Sequence, residues 1–216
     1  MTVPPADALR WMRQGQRIFD ATAARLDATA CAAPSLLPDW TRGHVLAHVA
    51  ANADALLNLA RWASTGTETP MYASPEERAA GIAQGGLLPA ARLADWQARS
   101  AGVLDTTLAG LTDEQWRHEV RTAQGRTVPA TEIPWLRARE VMVHAVDLDL
   151  GTAFTDLPAD FLAALDAEVS ARRGPDLPPV TGPLADRVAW LTGRPHRRDR
   201  LSRPDGTPAP DLGPWL

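Results

Sequence analysis

The sequence predicts a mainly α-helical protein, with a four-helix bundle over residues 1–151 and a small C-terminal α+β unit over 152–216. Three observations support this fold class. Apolar residues recur at helical spacing in long segments before Gly151. Cap residues and Gly/Pro breakers separate those segments. After Gly151 the chain turns rich in Pro, Arg and Asp, a texture of short elements rather than of a second bundle.

The elements follow in order. Leu9, Met12, Ile18, Thr22 and Leu26 lie close to one helical stripe, predicting a first helix over 5–28 that ends before Pro34 and Pro38. Thr41 is a suitable N-cap for a second helix running to about Ser64, with Gly66 as its stop. Ser74-Pro75-Glu76-Glu77 reads as a capping box, with Ser at N-cap, Pro at N1 and Glu at N3 of a short helix. A longer helix is expected over 89–109. Residues 118–122 and 126–130 alternate around Gln124-Gly125, the pattern of a small β-hairpin. Pro134 opens a fourth long helix that stops before Gly151. Two further helices, about 158–173 and 183–192, flank the Pro-rich interval 174–182.

Composition excludes several classes of function. The chain of 216 residues carries a formal net charge of −4, and all 22 of its basic residues are Arg, so it lacks the basic excess of a nucleic-acid binder. A single cysteine, Cys31, rules out an intrachain disulfide and a cysteine-based metal site. The first residues lack a signal-peptide pattern, and no run nears the roughly 18 apolar residues of a membrane span. A soluble cytoplasmic protein with no membrane partner is expected, and a monomer is compatible with this reading.

Chemistry concentrates on two helices. Val45, Val49, Leu56 and Leu59 form one stripe of the second helix, and His48 and Asn52 sit within it, so His48 should face the interior. On the fourth helix Glu140 and His144 are four residues apart and share a face. A carboxylate on a buried face is costly unless it is paired or bound to a metal. Two histidines and a carboxylate from facing helices would meet that demand and leave a coordination position open, as in catalytic zinc sites. The same donors hold Fe(II), so residue types alone leave the metal open. The plainer alternative is a hydrogen-bonded core histidine beside an ordinary Glu-x-x-x-His pair. His44 and His48 also form a ligand-compatible pair, though His44, in the first turn of its helix, better suits a capping or supporting role; Asp147 is placed either to orient His144 or to stand in solvent.

The runs Asp39-Trp40-Thr41-Arg42-Gly43-His44-Val45-Leu46-Ala47-His48 and Arg139-Glu140-Val141-Met142-Val143-His144-Ala145-Val146-Asp147 resemble the DinB-like metal-binding bundles. With 58–66, 68–72 and 123–130, the chain most resembles the mycothiol-dependent maleylpyruvate isomerase family, over residues 35–158. The resemblance implies His48, Glu140 and His144 as ligands of Zn2+ or another divalent metal, mycothiol as the thiol cofactor, and a small dicarboxylate as substrate. The implied reaction is cis–trans isomerisation of maleylpyruvate to fumarylpyruvate in gentisate breakdown. Arg137 and Arg194 are expected near the substrate and Arg194 and Arg126 near the cofactor, with Arg61 and Arg139 as further candidates. Family members have sheet-forming sequence between the last two helices. Here 174–182 is brief, so the sheet is expected to be reduced to remnants or absent. Two alternatives stand beside the isomerase: mycothiol transfer to another electrophile, and a non-catalytic metal-binding stress module.

Overall fold

The computed structural model describes residues 5–195, 197–213 and 215. They form two compact units, one up to Gly151 and one from Thr152. The first unit is built on four long helices: α1 (Pro5–Ala23), α3 (Arg42–Thr65), α5 (Ala90–Ala109) and α7 (Ile133–Asp147), with the short α2 (Ala28–Ala32), α4 (Pro75–Gly85) and α6 (Asp113–Arg117) between them. α7 packs on α1 and α3, and α5 packs on α3. A two-stranded antiparallel hairpin, β1 (Glu119–Arg121) and β2 (Thr127–Pro129), precedes α7, with Val120 opposite Val128 on its buried face.

Local chemistry sets these boundaries. At the head of α3, Thr41 Oγ1 accepts from the His44 amide and His44 Nδ1 accepts from the Thr41 amide, a reciprocal cap of two otherwise orphaned donors. Gly66, in the left-handed region at φ 73°, ends the same helix. Ser74 Oγ accepts from the Glu77 amide at the start of α4, and Pro134 sits in the first turn of α7. Two expectations need correcting. The first helix stops at Ala23 rather than 28, because the Asp27 side chain accepts from the Ala30 amide and starts a new helix, α2. α6 was not anticipated, although Thr112 and Gln115 form a full capping box.

The core that carries the long helices is Phe19, Val45, Leu46, Val49, Leu93, Val141, Ala145 and Leu148. Cys31 on α2 belongs to the same cluster, and its thiol is pushed above its usual pKa by burial and by Asp27. Clamps fix the end of α7 against the start of α3. Arg42 Nε donates to Leu148 O at 2.6 Å and its Nη2 to Asp149 O at 3.0 Å, and the Leu36 amide donates to Asp147 O at 2.9 Å.

The second unit contains α8 (Ala159–Arg173) and α9 (Leu184–Leu191), packed on each other. Arg187 of α9 pairs with Asp166 of α8. Extended pairing among its described residues is limited to isolated bridges, Thr181 to Ser202 and Ser202 to Pro208. Of the interval 174–182, only Thr181 takes part in this pairing, and Ser202 and Pro208 lie beyond α9.

α1 approaches α7 closely at Gly15, where an added Cβ would lie 2.7 Å from both Met142 Cγ and Val141 Cγ2. Gly15→Val is therefore expected to destabilise the first unit by about 1–3 kcal/mol through overpacking. Urea unfolding of the two proteins tests this, and an unchanged midpoint would show that the α1–α7 seam yields freely.

Candidate metal centre

α3 and α7 bring three donors together. His48 Nε2 lies 3.0 Å from Glu140 Oε2, and His144 Nε2 lies 3.3 Å from the same oxygen. All three donor atoms fall within 4.8 Å of one another. Four residues separate Glu140 from His144, one turn of α7, so both side chains leave the same face toward His48 on α3. Tetrahedral zinc, with bonds of roughly 2.0–2.2 Å, sets its ligand atoms about 3.3 Å apart, so this spacing suits a small divalent cation. Side-chain exposures of 7% for His48, 17% for Glu140 and 12% for His144 leave the cluster partly open to solvent.

The electrostatics agree with this donor chemistry. Burial alone would raise the Glu140 carboxyl, but hydrogen bonds from His144 and His48, and their charges, hold it well below the usual carboxylate range. Burial pulls His48 below its usual value, against the opposing pull of Glu140. Burial would likewise lower His144, yet hydrogen bonds to Asp147 and Glu140 overcome it and carry the imidazole up to about 9. Asp147 Oδ2 accepts from His144 Nδ1 at 2.8 Å, and the carboxylate is fully buried. This contact fixes the ring so that Nε2 faces the cluster. His48 is held by packing, with Trp40 edge-on to its ring at 5.4 Å and His144 edge-on at 4.8 Å.

The other residues singled out from the sequence are placed as follows. His44 caps α3, its Nδ1 taken up by Thr41. Arg137, only 1% exposed, donates to Val49 O at 2.6 Å, Asn52 Oδ1 at 3.0 Å and Gln16 Oε1 at 3.0 Å, so its guanidinium ties α7 to α3 and α1. Burial brings its pKa down to about 10 in spite of Glu140 and Asp20. Arg139 is buried on α7, Arg61 is exposed on α3, and Arg126 is exposed beside the hairpin turn. Arg194 belongs to the second unit, where Nη1 donates to Thr192 O at 2.7 Å. Sequence reasoning missed two residues of the site. Arg78 on α4 brings Nη2 to 3.5 Å from His48 Nδ1, and its guanidinium lies 5.7 Å from the centre of the Tyr72 ring. Tyr72 falls in the 68–72 stretch that carries part of the family resemblance, whereas the sequence signal at Arg78 is only that it sits a turn inside a well-capped helix, which says nothing about its reach across to α3.

Two outcomes test this geometry. Asp147→Asn should lower metal affinity about 10- to 100-fold, measured by competition with a chromophoric chelator. Unchanged affinity would remove Asp147 from the site's support. Near neutral pH the metal-free His144 holds a proton, since its pKa lies near 9. A metal needs the neutral ring, so uptake should release about one proton per ion, and affinity should rise with pH until the proton is lost unaided near that value. Calorimetry in buffers of differing ionisation enthalpy counts the protons, and none released would contradict this assignment.

Residues 12–149 match the mycothiol maleylpyruvate isomerase N-terminal domain family. Among solved structures, that of the mycothiol-dependent maleylpyruvate isomerase is 36% identical with a TM-score of 0.91, and the match covers 100% of both chains. A histidine-to-alanine mutant of the mycothiol-dependent maleylpyruvate isomerase matches with the same identity, coverage and TM-score. None of the curated proteins matches the chain by sequence. The likeness thus extends past residues 35–158 and takes in the C-terminal unit. Over the bundle that carries the His48–Glu140–His144 cluster, the chain belongs to the mycothiol maleylpyruvate isomerase family.

Proposed function

We propose that this protein is a zinc- and mycothiol-dependent isomerase that converts maleylpyruvate to fumarylpyruvate. The reading rests on one observation above others: the His48–Glu140–His144 cluster lies in a chain that matches the isomerase structure end to end. When bound, the metal would supply a Lewis acid that lowers the pKa of a thiol and keeps it as thiolate at neutral pH. The donor set and its partial exposure suit zinc with one open position.

In this reading the thiolate sulfur of mycothiol adds to one carbon of the cis double bond. A C–S bond forms as the π pair moves onto the conjugated carbonyl to give an enolate. The former double bond, now single, rotates. The enolate then returns its electron pair and the C–S bond breaks, giving the trans alkene and thiolate with no net change in atoms. The chain's own residues prepare this chemistry. Glu140 stays ionised, Asp147 sets the ring of His144, and Arg137 fixes the spacing of α7 from α3 through Val49 O and Asn52. Arg194 and Arg126 are the residues assigned to the thiol cofactor, with Arg194 also assigned to the substrate.

Maleylpyruvate loss, followed by absorbance with metal-quantified protein, is expected to require mycothiol and to stop on chelation. His48→Ala is expected to lose both metal and turnover. A metal-loaded protein that leaves maleylpyruvate untouched would move the function to another thiol transfer, and full metal retention by His48→Ala would refute the ligand set.

A further inference from the structure

The two histidines of the cluster differ in what stands behind them. His144 Nδ1 meets a carboxylate, Asp147, at 2.8 Å. His48 Nδ1 meets a guanidinium instead, with Arg78 Nη2 at 3.5 Å. With both Nε2 atoms turned to Glu140 and the metal position, a metal-bound neutral His48 carries its ring proton on Nδ1. Arg78 has only donors to offer. The two groups then face each other as donors, and neither satisfies the other. Among the described residues no carboxylate forms an ion pair with Arg78. Its side-chain contacts are the His48 nitrogen and Tyr72, which is hydrogen-bonded to the guanidinium and has its ring centre 5.7 Å from it.

Both donors can be satisfied together by one acceptor. Atoms 3.5 Å apart leave room for an oxygen within ordinary hydrogen-bond distance of each. Metal-bound histidines donate their outer N–H to a carboxylate, a carbonyl or water, and the adjoining guanidinium charge favours the anionic one of these. A guanidinium further selects a carboxylate, which it can grip with two parallel bonds. Tyr72 and Arg78 are both half-buried, so the position is neither sealed nor fully solvated.

We propose that Arg78 is a carboxylate-binding residue: with His48 Nδ1–H it receives one carboxylate of the dicarboxylate substrate, so the substrate completes the outer shell of His48 as Asp147 completes that of His144. This rests on the isomerase reading for the identity of the ligand, and the donor–donor juxtaposition rests on the 3.5 Å contact together with the Nδ1–H tautomer that metal binding at Nε2 would impose on His48. It makes binding of substrate and orientation of a metal ligand a single event.

The test uses the metal-loaded full chain, Arg78→Met, Arg78→Lys, and succinylpyruvate, the saturated analogue that cannot accept a thiol. Calorimetric affinity for the analogue should fall about 10- to 100-fold in Arg78→Met, the scale of one lost charged hydrogen bond. Arg78→Lys, keeping charge without the fork, should recover part of it. Metal content and the KM for mycothiol should match wild type in both variants, with the loss in turnover confined to the KM for maleylpyruvate and kcat. Wild-type affinity for succinylpyruvate in Arg78→Met would overturn the assignment, as would loss of metal, which would make Arg78 a support for His48. Failure of the isomerase reading is separate: wild type would bind the analogue yet leave maleylpyruvate unchanged.

Discussion

The first unit is organised around the cost of burying the Glu140 carboxylate. An ionised carboxyl inside a helical bundle is tolerated only with compensation, and here a single oxygen, Oε2, is shared by two imidazoles from two helices. That sharing requires α3 and α7 to hold a fixed rotation and depth relative to each other. The clamps answer the requirement: Arg42 ties the end of α7 to the head of α3, and Arg137 ties their middles through Val49 and Asn52. The Thr41–His44 cap sets where α3 begins, and hence where His48 falls one turn later.

What was legible in the sequence was what lies within one element. The stripe holding His48, the i, i+4 relation of Glu140 and His144, the Thr41 cap and the Gly66 stop all express helical periodicity and end chemistry. Orientation of His144 by Asp147 was legible for the same reason, since three residues of one helix separate them. What was not legible crosses between elements. Arg78 reaches His48 from thirty residues away on another helix, and nothing in its local pattern marks it. Arg137 shows the converse limit. Its place near the Glu140 face was readable, but not that three protein acceptors on α3 and α1 would take up its guanidinium.

The short-range misreadings have short-range causes. Hydrophobic spacing continues through Leu26, so the first helix looks longer than it is, yet the Asp27 side chain competes for backbone donors and wins. The C-terminal unit offers little periodicity between its helices. Single bridges join Thr181, just before α9, to Ser202, and Ser202 to Pro208, both beyond it.

The burial of Cys31 has a consequence for coexistence with the proposed substrate, maleylpyruvate. Maleylpyruvate is an unsaturated ketone, the type of electrophile that alkylates thiols and amines indiscriminately. A protein that concentrates such a compound beside an activated thiolate risks modifying itself. This chain has no lysine, and its one cysteine is packed in the core with a thiol held protonated by burial and by Asp27. In the proposed reaction the soft nucleophile would be borrowed from solution and returned, while the protein itself presents few side chains able to add to the electrophile.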